Sequence, residues 1–246
     1  PRDQLGAPAW YGSDLAGRDD WLMPLGAHEL AEIETATAAL VDRDADIATI
    51  TASDFPLPNL GSRLRARVRD EVLNGRGILL MRGLPVERWS IREAAAAFFG
   101  LGAHIGSARS QNAKGHLLGH VQDLGLDARD PNVRIYQTNA RQTFHTDSCD
   151  IVGLLCLKTA RSGGLSALVS AMTIFNEMRR RRPDLLKLLL EPIATDRRGE
   201  VAEGEKPYFE IPVFTWHDGH LSAIYQRQYI DSAQRFPEAP RLTPAH

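Results

Sequence analysis

The order of the predicted elements indicates an α+β protein with a β-sandwich or barrel core and helices outside it. Helical patterns gather early in the chain and return in one later insertion, whereas strand patterns fill most of the remainder. The strand patterns are short, and the dipeptide Asp218-Gly219 favours a two-residue hairpin turn between two of them. Strands that follow one another in this way form sandwiches or barrels.

Three amphipathic patterns predict helices in the first part of the chain. From Ala27 to about Val41, apolar residues recur on one helical stripe. From Ser62 to Leu73, apolar residues share one face and arginines the other. A further helix is expected from Ser90 to Leu101, because Ser90 and Glu93 have the spacing of a capping box.

Strands are predicted where short runs are apolar or alternate between apolar and polar residues. These runs are Ile78–Met81, Val133–Thr138, Ile151–Leu157 and Leu165–Val169. The third run is almost wholly apolar, which is typical of a strand covered on both faces. The glycine-rich, polar stretch from Gly102 to Asp130 is expected to be a long loop of the kind that forms lids or binding loops.

The last part of the chain combines two helices with a hairpin. Ser170 is placed to cap a helix that runs through Met178, and Leu185–Leu190 is expected to form a short apolar helix. Two β-rich runs, Tyr208–Trp216 and Leu221–Gln226, flank the Asp218-Gly219 turn. We expect residues 1–246 to form a single domain.

Composition and charge argue against nucleic acid and membrane as partners. The formal net charge is -2, and no apolar run approaches the roughly 20 residues of a membrane-spanning helix. The most basic run, Arg179–Arg182, lies at a helix end, where cations complement the helix dipole, and no aromatic platform accompanies it. Cys149 and Cys156 are too far apart along one predicted strand for a disulfide, so a reducing, cytoplasmic setting is the default.

The stretch with the clearest chemistry is Gln142-Thr143-Phe144-His145-Thr146-Asp147-Ser148. Positions two apart on an extended chain share one face, so His145 and Asp147 are expected to project side by side. One imidazole and one carboxylate are two thirds of the two-His-one-carboxylate triad that binds non-haem Fe(II). An isolated H-x-D is more often a strand end with a hydrogen-bonded His and a solvated Asp, so the context of the pair decides.

That context resembles a known family. Phe144-His145-Thr146-Asp147, Gly153-Leu154-Leu155-Cys156-Leu157 and Ser162-Gly163-Gly164-Leu165-Ser166 resemble the TauD/TfdA family of Fe(II)- and 2-oxoglutarate-dependent dioxygenases, of the taurine dioxygenase and clavaminate synthase type. The similarity runs from about Gly77 to the last residue. It implies a clavaminate synthase-like double-stranded β-helix (jelly-roll) core with flanking helices and with the metal in its mouth.

The resemblance also implies a reaction and a set of roles. His145 and Asp147 match the first two iron ligands, and Ser166 matches the hydroxyl residue that contacts the 2-oxoglutarate carboxylate. The implied reaction uses O2 to hydroxylate a small-molecule substrate, with release of succinate and CO2. Iron binding should weaken in acid, because His145 must be deprotonated to bind the metal. Family members commonly self-associate, which leaves a homo-oligomer open.

Two functional positions of the family are not found. The distal iron-binding His and the 2-oxoglutarate-binding Arg are expected near or beyond His246, and Thr243-Pro244 has the pattern of a helix start. We therefore expect a carboxy-terminal portion beyond this sequence. His217 and His220 are alternative ligands, but they flank the Asp218-Gly219 turn, where a solvent-exposed hairpin tip is expected instead.

Residues near the two ligands are candidates for substrate binding. Asn139, Arg141 and Phe144 precede His145, and Asp150 follows Asp147, so all four are expected to line the mouth of the barrel. Arg141 suits an anionic substrate and Asp150 an amine, although either also suits a surface ion pair.

His104, in Leu101-Gly102-Ala103-His104-Ile105-Gly106, lies where the family's first mouth loop begins. It is a candidate for substrate contact, with a structural loop His as the alternative.

Two further classes of function stay open at the level of the sequence. One is a non-catalytic jelly-roll protein that binds a small molecule and has lost the iron. The other is a different metal enzyme, such as a zinc hydrolase of the cupin type that uses His217 or His220.

Overall fold

Residues 2–112, 115–130 and 133–246 are described in the computed structural model of the protein. They divide into two units. The helical unit consists of Trp10–Ser110 with Ile151–Ser166, and the mixed unit consists of Pro1–Ala9, Gln111–Asp150 and Ala167–His246. His145 and Asp147 therefore belong to the mixed unit, whereas Ser166 and His104 belong to the helical unit.

The helical unit is built from four α-helices and a two-stranded parallel sheet. Its elements are α1 (Gly12–Leu15), β1 (Leu22–Pro24), α2 (Ala27–Asp42), α3 (Leu60–Arg67), a π-helical turn (Val68–Leu73), β2 (Leu80–Arg82) and α4 (Ile91–Ala103), with short 3-10 turns at Ile47–Thr49 and Val86–Arg88. The three helices predicted from periodicity are confirmed as α2, α3 with its π-helical turn, and α4.

The predicted helix signals have the expected physical basis. In α2, the buried side chains include Ile33, Ala36 and Leu40, which lie on the predicted stripe. At the start of α4, the Glu93 backbone N–H donates to Ser90 Oγ at 3.2 Å, and the Ser90 backbone N–H donates to Glu93 Oε2 at 2.7 Å. The capping box is therefore confirmed.

The strand predicted at Ile78–Met81 is displaced and incompletely buried. It forms as β2 at Leu80–Arg82 and pairs in parallel with β1. Leu80 remains 39% exposed, because β1 is its only hydrogen-bonded neighbour among the described strands.

In its described residues, the mixed unit contains three α-helices and two antiparallel strand pairs. Its elements are a 3-10 turn (Ile135–Gln137), α5 (Ala171–Arg181), α6 (Pro183–Leu189), β3 (Ile193–Asp196), β4 (Tyr208–Ile211), β5 (Phe214–His217), β6 (His220–Ala223) and α7 (Arg227–Ala233). β3 pairs with β4, and β5 pairs with β6. The core of this unit gathers Phe175, Leu186, Ile193, Val213, Phe214, Leu221 and Ile230.

The predicted hairpin is confirmed. β5 and β6 pair with His217 opposite His220, and the two residues between them, Asp218 and Gly219, have φ values of 48° and 81°. Positive φ at both central residues is the conformation of a type I′ turn, whose twist matches the flanking strands. Ser170 likewise caps α5 as predicted, since its hydroxyl accepts from the Thr173 backbone N–H at 3.0 Å.

Three predicted strands do not form in the described residues. Val133–Thr138 contains a 3-10 turn instead, because the Gln137 and Thr138 backbone N–H groups donate locally to Arg134 and Ile135 at 2.9 Å each. Ile151–Leu157 and Leu165–Val169 are irregular, and Leu154 and Leu165 are 77% and 96% exposed. A strand needs a hydrogen-bonded partner, and none of the described sheets supplies one to these two runs.

The mixture of helices and small sheets is consistent with the α+β prediction. Sheets of two strands do not test a double-stranded β-helix, which stays a prediction. In the described part of the chain, no helix combines the length and the apolar character that crossing a bilayer requires.

Candidate functional site

The His145-Thr146-Asp147 stretch is held beside the hairpin through its central residue. The Thr146 backbone N–H donates to the Tyr225 carbonyl at 2.8 Å, and the Tyr225 backbone N–H donates to Thr146 Oγ1 at 2.8 Å. The Ile224 N–H donates to Val213 O at 2.9 Å, which extends the hairpin by one bond. Neighbouring residues of an extended chain direct their backbone groups to opposite sides. Ile224 therefore faces β5, and Tyr225, the next residue, faces Thr146 on the other side.

His145 is oriented by two hydrogen bonds to its own stretch. Its Nδ1 lies 2.8 Å from the Thr143 carbonyl oxygen, and its Nε2 lies 3.0 Å from Nε2 of Gln142. A carbonyl only accepts, so Nδ1 carries the proton in the neutral ring and Nε2 keeps a lone pair that accepts from the Gln142 amide. A backbone carbonyl on Nδ1 is a common way to orient a metal-binding histidine.

Asp147 provides the second donor. Its Oδ1 lies 4.0 Å from Nε2 of His145, and its side chain is 53% exposed against 23% for His145. Bonds from nitrogen and oxygen to a first-row divalent metal such as zinc are about 2.1 Å long, so one ion would contact atoms 4.0 Å apart only with a very wide angle between its two bonds. The two side chains therefore have to move closer together to serve as neighbouring ligands of one ion. His145 and Asp147 thus lie near each other, as their spacing predicts, and their role as iron ligands stays a prediction.

A third protein ligand is not gathered here by the described residues, among which no cluster of three or more His, Cys, Asp or Glu has metal-binding geometry. His217 and His220 oppose each other at the hairpin tip, and the His217 side chain is 86% exposed. The predicted position of both histidines at an exposed turn is confirmed.

The predicted substrate residues near the ligands are all exposed. They are Asn139, Arg141, Phe144 and Asp150. They lie on the same irregular stretch as His145 and Asp147, and Phe144 is 50% exposed. Their contact with substrate stays a prediction.

His104 and Ser166 are described within the helical unit. His104 Nε2 lies 2.7 Å from the Phe55 carbonyl, and its Nδ1 lies 3.2 Å from an Arg65 guanidinium nitrogen, so both ring nitrogens serve internal hydrogen bonds. A substrate would have to displace one of them, and the predicted contact is not tested. Ser166 is exposed and follows Gly163 and Gly164, whose φ values of 69° and 67° lie in the left-handed region that favours glycine. Its role toward 2-oxoglutarate also stays a prediction.

A cleft of about 400 Å³ in the mixed unit adds residues that the sequence patterns did not single out. Its lining includes Gln142, Arg134, Arg198, Gln226 and Tyr229. Gln142 connects the cleft to the ligand pair, because its side chain also contacts His145. No local motif marks Arg134, Arg198 or Tyr229, which lie far apart in the sequence.

The anchoring role of Thr146 is testable without turnover. Thr146→Val removes the hydroxyl that accepts from Tyr225 but keeps the shape of the side chain, so the stretch loses one of its two bonds to the hairpin. For a stretch that binds Fe(II) as the resemblance implies, we expect the Fe(II) affinity of the variant to be about tenfold lower, as for other groups that position metal ligands. Anaerobic Fe(II) titration measures this. Thr146→Ser retains the hydroxyl and should bind as the wild type does, and equal affinity in Thr146→Val would refute the anchoring role.

Comparison with known proteins finds one matching family and two similar proteins. The family described as "Taurine catabolism dioxygenase TauD, TfdA family" matches residues 43–244. An "FR-33289 synthase" of Streptomyces rubellomurinus (strain ATCC 31215) is 31% identical over 229 residues, which are 92% of this chain and 67% of that protein. A "Taurine hydroxylase-like protein SAT17" of Stachybotrys chartarum (strain CBS 109288 / IBT 7711) is 29% identical over 243 residues, 96% of this chain and 62% of that protein. The chain thus spans about two thirds of the length of these relatives.

Proposed function

Because the chain belongs to the TauD, TfdA family of dioxygenases, we propose that it is an Fe(II)- and 2-oxoglutarate-dependent dioxygenase that hydroxylates a small-molecule substrate. In this reaction O2, 2-oxoglutarate and a substrate C–H bond yield the hydroxylated substrate, succinate and CO2. Bound Fe(II) supplies the activation of O2 that this chemistry requires.

The observation that carries the proposal is the state of His145 beside Asp147. The Thr143 carbonyl holds the proton on Nδ1, which leaves the Nε2 lone pair available 4.0 Å from a carboxylate oxygen. A neutral imidazole and a carboxylate on one side of the chain fit Fe(II). Metal binding requires Nε2 to give up its hydrogen bond with Gln142, whose side chain is then free to contact substrate in the cleft.

Ser166 is the proposed contact for the 2-oxoglutarate carboxylate. Its hydroxyl is able to donate one charge-assisted hydrogen bond, which contributes roughly 1.5–3 kcal/mol. The exposed position of Ser166 after Gly163 and Gly164 supports this role, because the hydroxyl is accessible to a ligand.

The proposal includes the family's jelly-roll core with the ligand pair at its mouth. The hydrogen bonds between Thr146 and Tyr225 support this part of the proposal. They place the His145–Asp147 stretch beside the residues that follow β6, where a neighbouring strand of a sheet would lie. Backbone bonds across the sheet would then keep the two ligands on one face.

Metal exchange tests the proposed chemistry and separates it from a zinc hydrolase. The full-length protein is incubated with 2-oxoglutarate, ascorbate and a panel of small molecules, and succinate is measured. We expect EDTA to abolish succinate formation and added Fe(II) to restore it, because the reaction needs a redox-active metal with open positions. Added Zn(II) should not restore it. Succinate formation that survives EDTA, or that Zn(II) restores, would refute the proposal.

A further inference from the structure

The cleft beside His145 contains an unusual pair of cations. The guanidinium carbons of Arg134 and Arg198 lie 5.5 Å and 5.4 Å from the centre of the same Tyr229 ring. The charge of Arg134 is balanced by the Glu200 carboxylate, whose Oε1 lies 2.5 Å from Nη2 of Arg134. Arg134 also donates a hydrogen bond to the Tyr229 hydroxyl. Among the described residues, these two cations on one ring share one carboxylate in direct contact, which leaves one positive charge without a contacting counter-ion.

Arg198 carries this remaining charge. Its guanidinium donates to the Val133 carbonyl at 3.0 Å, and no carboxylate of the described residues lies within 4.0 Å of it. The other acidic and basic residues that line the cleft are Arg129, which pairs with Asp127, Asp231, which pairs with Arg227, and Asp130. The charge of Arg198 is therefore available to a ligand in the cleft.

The protein holds Arg198 in this place at an energetic cost. Burial is the largest influence and lowers the pKa of the Arg198 guanidinium. The charges of Arg134 and Arg235 lower this pKa further, whereas Tyr229 and the Asp196 carboxylate act in the opposite direction. The Arg198 backbone has a φ of 54°, in the left-handed region that side chains other than glycine rarely adopt. It is kept there by a hydrogen bond from its N–H to the buried carboxylate of Asp196 at 2.8 Å. Strain of this kind, held by surrounding structure, is often found at ligand-binding residues.

Gln226 adds an unsatisfied acceptor to the same cleft. Its Oε1 is buried and has no hydrogen-bond partner in the described part of the protein. Buried polar atoms are nearly always paired, so an orphaned acceptor at a cleft indicates a ligand that donates to it. A ligand that suits both residues carries an anionic group for Arg198 and an N–H or O–H group for Gln226.

We propose that this cleft binds the anionic group of the organic substrate, with Arg198 as the charge partner and Gln226 accepting from a neighbouring donor on the same molecule. The assignment to a substrate rests on the proposed dioxygenase function and on the contact between Gln142 and His145. We do not assign the cleft to 2-oxoglutarate, because Ser166, its proposed contact, is not among the residues that line it.

Inorganic sulfate is a suitable probe of the anion site. The metal-free protein is titrated with sodium sulfate by calorimetry, with sodium chloride used to keep the ionic strength constant. We expect one sulfate site in the wild type. Arg198→Gln should lower the affinity for sulfate by about tenfold or more, because a charge-assisted hydrogen bond is lost. Arg180→Gln removes the same charge from the exposed face of α5 and should bind sulfate as the wild type does.

Glu200→Gln provides a test in the opposite direction that does not depend on the folding of Arg198→Gln. Removing this carboxylate frees Arg134, so sulfate binding should tighten, by about threefold. The proposal is overturned if Arg198→Gln and Glu200→Gln both bind sulfate with the wild-type affinity. It is also overturned if 2-oxoglutarate displaces sulfate from the site. The titration contains no iron, so the absence of sulfate binding would not argue against the iron chemistry. Absence of succinate formation, in turn, would not argue against the anion site.

Discussion

Replacing His145 by alanine is expected to lower succinate formation by at least about hundredfold. The variant loses the Nε2 lone pair that the bond from Nδ1 to the Thr143 carbonyl leaves available for a metal, and with it the donor that lies 4.0 Å from Asp147. Substitutions that merely misorient a metal ligand cost 10- to 100-fold, so removal of the ligand itself should cost at least the upper value. Succinate is measured in the full-length protein with Fe(II), ascorbate and 2-oxoglutarate.

His217→Ala is the matched control for this loss. It removes the same side chain from the exposed hairpin tip of the same unit, so succinate formation should be unchanged. Activity that survives in His145→Ala would show that the iron is bound elsewhere. An equal loss in His217→Ala would indicate that the hairpin tip contributes a ligand and would favour the alternative metal site.

The largest expected effect on stability comes from Gly100→Ala. Gly100 lies within α4, and a Cβ at this position would stand 2.3 Å from Cγ of Phe55, whose side chain is fully buried. The ring cannot move without displacing the core of the helical unit, so the added methyl must shift the helix or the ring. Overpacking of this kind costs about 1–3 kcal/mol, and we expect the upper part of this range. Denaturant unfolding monitored by circular dichroism measures it.

Gly102→Ala on the same helix should instead raise the free energy of unfolding. No atom lies within 4 Å of a Cβ built at Gly102, so the substitution adds no clash. Alanine is favoured over glycine in a helix by about 0.8–1 kcal/mol, and we expect a gain of part of this amount. Loss of stability in both variants, or in neither, would contradict the account of the Gly100–Phe55 contact.

The elements that were predictable from sequence depend on residues close together in the chain. The Ser90–Glu93 capping box spans one helical turn, and the Asp218-Gly219 turn needs only its two central residues. The apolar stripe of α2 is likewise a local pattern. Each signal contains its own physical cause, so it does not require knowledge of the rest of the fold.

The strand predictions that proved wrong have two different causes. The apolar run Ile151–Leu157 indicates that these residues favour burial, but the sequence does not say which strand, if any, pairs with them. The second cause is local: the 3-10 turn at Ile135–Gln137 occurs where an alternating pattern favours a strand, because periodicity does not register hydrogen bonds between backbone groups three residues apart.

The same distinction applies within the candidate site. The proximity of His145 and Asp147 follows from their spacing of two residues, and it was predictable. The hydrogen bonds between Thr146 and Tyr225 join residues 79 positions apart, and the contact of Arg198 with Tyr229 depends on the β3–β4 region meeting α7. Only the folded chain brings these groups together.

NMR signals of the ring nitrogens show whether Nε2 of His145 binds iron. We suggest NMR of the protein labelled with ¹⁵N-histidine, with the His145 signals assigned by their absence in His145→Ala. Without metal, the account predicts the neutral tautomer protonated on Nδ1, as the Thr143 carbonyl requires. Anaerobic addition of Fe(II) should then broaden the His145 signals selectively and leave those of His217 and His220 sharp. Protonation on Nε2 without metal, or sharp His145 signals in the presence of bound Fe(II), would contradict the account.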